Sequence, residues 1–261
     1  MNPARCSQAV LLLGLVGAAC GDPAEAPRVE LEVRVDDGGL DPVVTDLGYE
    51  VRLEAARLVL TGVVFTQSGE AAPASFASRL GALLLPSALA HPGHFEGGEV
   101  TGELPGRHVV DWAREGGRTL GRATLLTGRY TGMGFRFDAA TAEQLAADDP
   151  LAGHTGLLEG TATRGTETRA FRFLVDLPRG RPLEGAPFEA EVHETTDGRI
   201  HLVFSILDPV EDETLFDGID FFALGGEEPL SLSAADAEPL VFRLRRAVGS
   251  HDHYFAFMTG D

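Results

Sequence analysis

Cysteine is almost missing from this chain: the two it has, Cys6 and Cys20, both fall within the first twenty positions. No disulfide and no thiolate nucleophile is available to the rest, so a domain formed there must rest on its hydrophobic core. About 240 residues follow Cys20, and at that size most of the apolar surface of a β domain can be buried without a covalent staple. Lysine is absent as well. All 21 basic side chains are arginine, which, with the abundance of alanine and glycine, reads as the coding bias of a GC-rich genome rather than as a function.

Recognisable catalytic motifs are also lacking. The sequence contains no Gly-x-Ser-x-Gly, no Walker loop, no Gly-x-Gly-x-x-Gly at a strand end and no His-Glu-x-x-His. Ser250, His251 and Asp252 are neighbours in sequence only, whereas catalytic triads are assembled in space from separated segments. The expectation is a protein that is not an enzyme. Positive charge is scarce too: the net charge of −19 argues against nucleic acid or an anionic membrane surface as a partner. The plain role of such an acidic surface is solubility.

Long hydrophobic runs are missing, and the longest early one has a different meaning. Residues 9–16 are apolar, follow Arg5 and lead into small residues ending at Cys20. This is the layout of a secretory signal, and the run is too short for a bilayer core of about 30 Å, which needs about 20 apolar residues. Gly17-Ala18-Ala19-Cys20 resembles the bacterial lipobox, in which the cysteine is acylated and becomes the new N-terminus. The expected organisation is a signal peptide over 1–19, a lipidated tether over 20–28, and one β-rich domain over 29–261. That domain would be exported and held by lipid on Cys20. Gly21, where an aspartate would retain a lipoprotein at the inner membrane, fits the outer membrane, facing the periplasm.

Strand signals dominate what is present. Residues 29–35 alternate apolar and charged without a break, as do residues 49–55, and 58–65 is more fully apolar. Further strands are expected over 108–112, 123–127, 130–137, 155–163, 168–177, 188–194 and 200–207. Gly165 and the Asp197-Gly198 pair mark two candidate hairpins. Helix is the minority, expected over 139–147, 78–85 and 234–248 with Ser233 as N-cap. These elements predict a mostly β fold, a two-layer antiparallel β-sandwich or open barrel with few short helices. Residues 66–107, rich in Ala, Pro, Gly and Leu, interrupt the strands and read as a long inserted flap.

Histidine carries the chemistry that remains. All eight histidines lie beyond Cys20. His91 and His94 flank Pro-Gly on a tight turn, and His251 and His253 would share one face if that stretch were extended, because side chains alternate along a strand. Neutral imidazole suits copper and zinc, and a site needs three or four converging ligands. The two pairs together would supply them, with His154 or Glu96 as additional ligands and Asp252 orienting an imidazole from behind. His108, His193 and His201 read as sheet-surface residues. The acidic run from Asp208 through Asp212 and Asp217 to Asp220 could offer oxygens to calcium, but it lacks EF-hand spacing and reads as a solvated loop.

The order of features resembles the MbnP-like periplasmic proteins. Residues 29–35, the stretch Thr-Asp-Leu-Gly-Tyr-Glu-Val-Arg-Leu-Glu over 45–54, and Leu-Thr-Gly-Arg-Tyr-Thr-Gly-Met-Gly-Phe-Arg-Phe over 126–137 carry the likeness, followed by a Gly-rich strand pair over 153–177. The resemblance implies a β-sandwich that binds copper or partners a haem enzyme in the periplasm. The family's His-Leu-Gly-Ser-Thr-Gly-Cys segment and its disulfide cysteines have no counterpart here, so no ligand position transfers. The function expected is copper or zinc binding through paired histidines, for sequestration or delivery, with a periplasmic protein partner. The alternative is a non-catalytic envelope adhesion or assembly module.

Overall fold

The computed structural model describes residues 27–67, 99–225, 229–232 and 238–260. The signal, Cys20, most of the tether, and His91, His94 and Glu96 of the flap therefore lie outside the described residues.

The chain is mostly β, as its alternation predicts. The strands are β1 (Arg28–Asp36), β2 (Val43–Val44), β3 (Glu50–Gln67), β4 (Glu99–Asp111), β5 (Thr119–Leu126), β6 (Gly128–Phe137) and β7 (Gly156–Arg164). They continue with β8 (Glu167–Val175), β9 (Pro182–Val192), β10 (Arg199–Phe204), β11 (Leu207–Asp208), β12 (Glu213–Thr214), β13 (Leu230–Ser231) and β14 (Tyr254–Thr259). One α-helix, α1 (Glu238–Val248), precedes β14.

The long strand β3 is the spine. Its first half, from Glu50 to Leu58, pairs with β7, and from Leu60 to Gln67 it pairs with β6 instead. The exchange coincides with a register shift around Gly62, whose φ of 58° lies in the left-handed region that only glycine enters freely. The other edge of β3 carries β4 from Arg57 onward. Pairing then runs from β4 to β5, β1, β10, β14, β9 and β6, and back to β3. The circuit of neighbours closes on itself, with β7, β8 and β13 branching from the first half of β3.

Two details differ from the antiparallel sandwich or open barrel expected. The sheet is mixed, because β1 runs parallel to β10, β9 to β14 and β8 to β13. And β14, the last strand, inserts between β9 and β10, so the Asp197-Gly198 turn joins strands that do not pair with each other. Parallel neighbours need a long crossover, and the chain supplies one between β1 and β10. The other hairpin forms as expected, with Arg164 opposite Glu167 and Gly165 at φ 66°.

Alternation explains the core. Val29, Leu31, Val33 and Val35 of β1 point inward and are buried. Trp112, the only tryptophan, is fully buried, and its indole N–H donates to the Leu202 carbonyl at 3.1 Å, so it is a core residue with its polar atom satisfied. Phe171, Phe173, Phe216 and Phe221 pack with Tyr49 where the 207–224 segment covers the β7–β8 branch.

The helix expected over 139–147 is only a 3-10 turn, Ala142–Gln144. Among the residues of that stretch, Ala140 and Leu145 dock on a small cluster formed by Val59, Leu151 and Leu157, too little to hold an amphipathic helix against the sheet. The helix expected over 234–248 is present from Glu238, and Ser233 lies outside the described residues. The flap is shorter than the 66–107 expected: β3 extends through Gln67, and β4 begins at Glu99. Its remainder, with the expected helix over 78–85, falls outside the described residues.

Candidate functional site

The histidine turn at the C-terminus is positioned by the end of α1. Gly249 N–H donates to the Arg245 carbonyl at 2.9 Å and Ser250 N–H to the Ala247 carbonyl at 2.9 Å, closing the helix. A β-carbon on Gly249 would lie 2.9 Å from that Arg245 oxygen, so glycine is what permits the chain to leave the helix so closely. His251–His253 then form a single 3-10 turn leading into β14.

This corrects the extended conformation expected of His251-Asp252-His253. A 3-10 helix has three residues per turn, so side chains two apart diverge by about 120° instead of sharing a face. The cause is local. The Ser250 hydroxyl donates to Asp252 Oδ2, and Asp252 Oδ1 lies 3.1 Å from His251 Nδ1, so the short polar side chains bend the segment. Asp252 thus stands where an orienting carboxylate was expected, behind His251.

His253 points inward and is only 5% exposed. Its Nδ1–H donates to the Ser205 carbonyl at 3.0 Å, while Ser205 N–H donates to the His253 carbonyl at 2.8 Å. Burial pushes the imidazole below its ordinary pKa, although the Ser205 carbonyl and the carboxylates of Asp208 and Asp252 pull the other way. The ring is held neutral, with its proton on Nδ1 and the lone pair on Nε2. Ser205 had no signal in the sequence, because 48 residues separate it from its partner.

Elsewhere imidazoles are engaged with the sheet. His154 Nδ1 lies 2.9 Å from Asp176 Oδ1, a hydrogen bond that sequence reasoning missed. His201 uses both nitrogens, to Asp36 at 3.1 Å and Thr259 at 3.0 Å, and stacks on Phe257. His193 is exposed beside Glu191. His108 Nε2 meets the Pro105 carbonyl at 3.1 Å, and burial lowers its pKa.

Asp208, Asp217 and Asp220 of the acidic run are taken up by backbone N–H groups and by the Tyr49 hydroxyl. Asp208 accepts from the N–H groups of Val210 and Glu211, at 2.7 and 3.2 Å. Asp217 accepts from Thr214 N–H at 2.8 Å and Asp46 N–H at 2.9 Å. Asp220 takes the Tyr49 hydroxyl and the N–H groups of Phe222 and Ala223. Asp212 occupies a left-handed turn at φ 56°. These are the bonds of a tightly folded loop. Arg164 lies over the Tyr49 ring, 4.4 Å from its centroid, and completes a polar-aromatic latch that no motif announced.

Among the described residues, no group of three or more His, Cys, Asp or Glu gathers as metal ligands. His154 is therefore not brought together with His251 and His253. His251 and His253 remain one half of the arrangement expected, and His91, His94 and Glu96 are outside the described residues. No helix among the described residues is long and apolar enough to cross a membrane. Comparison with known proteins finds no matching family model, no matching curated protein and no matching solved structure.

Proposed function

We propose that this chain is an exported protein, anchored by lipid on Cys20, that holds copper or zinc through imidazole and serves in metal sequestration or delivery. The observation that carries the reading is the fixed Nδ1 of His251, 3.1 Å from Asp252 Oδ1. Protein imidazoles that ligate a metal commonly give their second nitrogen to such an oxygen, which sets the tautomer and raises the basicity of the ligating Nε2. The divergent 3-10 geometry and the burial of His253 against Ser205 support assigning the ligand role to His251. His91 and His94, spaced to chelate, are the partners that the sequence offers.

The test is metal content of the full chain, purified without a histidine tag, beside His91→Ala/His94→Ala and His251→Ala variants. Near-stoichiometric copper or zinc, lost in both variants, is the expected result. No metal after loading and desalting would overturn the reading. A second reading, a non-catalytic envelope adhesion or assembly module, is favoured by Phe242 on α1, a large aromatic left 66% exposed. Such a module would show no loss of thermal stability on chelation, whereas a metal protein would.

A further inference from the structure

Strands β4 and β5 are joined by only two residue pairs, Gly102 with Leu125 and Glu103 with Thr124. Past these the strands part. The later half of β4 stays on β3, and the start of β5 stays on β1. A backbone edge from each strand therefore faces a crevice of about 260 Å³ whose lining includes Arg107, His108, Arg118, Thr119 and Gln144. Gln144 belongs to the 3-10 turn at 142–144 and is tied down by its Nε2 donating to the Arg107 carbonyl at 3.1 Å.

Two guanidinium groups and an imidazole share this crevice in a chain of net charge −19. Arg118 Nη2 donates to the Val109 carbonyl at 2.6 Å and meets Glu115 at 3.1 Å, bracing the parted strands. Arg107 Nη2 meets Asp138. Both arginines make these bonds through Nη2, and a guanidinium carries five N–H donors in a rigid fork, so each retains donors for a ligand. The carboxylate partners hold the forks in place while balancing their charge, which suits a modest affinity. The acidic surface farther away is screened, since the Debye length is about 10 Å at 0.1 M salt.

We propose that the crevice between β4 and β5 binds a small oxyanion of the phosphate or carboxylate class, gripped by the guanidinium forks of Arg107 and Arg118. Paired N–H donors facing two oxygens of one ligand are the arrangement that makes arginine selective for such groups. The site is independent of the histidine turn.

The experiment follows the thermal unfolding midpoint of the full chain in rising inorganic phosphate, with sodium chloride added to hold ionic strength constant, and repeats it with succinate. A ligand bound to the folded state raises the midpoint as its concentration passes the dissociation constant, expected in the roughly millimolar range. Arg118→Gln should shift the required concentration up by about tenfold, the effect of losing one charged hydrogen-bonding group. Arg122→Gln, which removes an exposed arginine of β5 paired with Glu30, should leave the response unchanged. A rise with phosphate alone assigns the phosphate class, and a rise with succinate alone assigns the carboxylate class. No rise with either anion, or an equal response in Arg118→Gln, would overturn the proposal. The Arg118→Gln midpoint without added anion separates lost binding from lost folding.

Discussion

At the scale of single residues, His253 ties stability to pH. Its pKa is held below the ordinary value of about 6.5 by burial, so the folded chain resists a proton that the unfolded chain accepts. Above pH 6.5 both states are neutral and the stability is complete. As the pH falls below that value the unfolded state gains protons first, and stability declines until the lowered folded pKa is passed. Chemical denaturation of the native chain and of His253→Asn at pH 7.5 and pH 5.5 should show a decline that is smaller in the variant. An equal decline would remove His253 as the cause. Trp112 gives a second measure: Trp112→Phe removes the indole N–H that donates to the buried Leu202 carbonyl, together with part of the packed ring, and should cost about 1–3 kcal/mol in equilibrium unfolding. The brace on His253 was not legible in the sequence, because Ser205 announces nothing and its contact is made through backbone.

Among elements, the strands were the most legible part. β1 and the start of β3, from Glu50 to Ala55, alternate strictly, and burial follows the alternation. Pairing was less legible, because side-chain period says which face is buried and not which strand lies alongside. The Asp197-Gly198 turn has hairpin chemistry, yet β14 lies between the strands it joins. The segment 251–253 was misjudged for a related reason: its residue types suit a strand face, but Ser250 and Asp252 compete for local hydrogen bonds and wind the chain into a 3-10 turn. The packing of β3 on β7 makes its own prediction. A β-carbon on Gly160 would sit 2.1 Å from the Arg52 carbonyl oxygen, so Gly160→Ala must push the two backbones apart. Overpacking of this kind costs about 1–3 kcal/mol, measurable by denaturant unfolding, and faster amide exchange should appear along β7. A stability equal to that of the native chain would contradict the register of this ladder.

For the whole molecule, a closed circuit of strands around an aromatic and aliphatic core explains how a chain with no cysteine beyond Cys20 can hold its fold without a covalent staple. The proposed anchor can be tested separately: Cys20→Ala should release the protein from membranes into the soluble fraction, and continued membrane association would contradict lipidation there. The mostly β character was written in the sequence, whereas the closure and the parallel pairings depend on contacts between distant segments that no local pattern encodes. Of the histidines in the proposed metal site, the structure describes only those of the 251–253 turn, and His91 and His94 lie outside the described residues. The measurement that bears most directly on the account is the metal content of the untagged full chain and its histidine variants by mass spectrometry. Copper or zinc near one ion per chain, lost in both His91→Ala/His94→Ala and His251→Ala, is the result predicted. Metal retained at full occupancy in His251→Ala, or no metal in the loaded native chain, would contradict it.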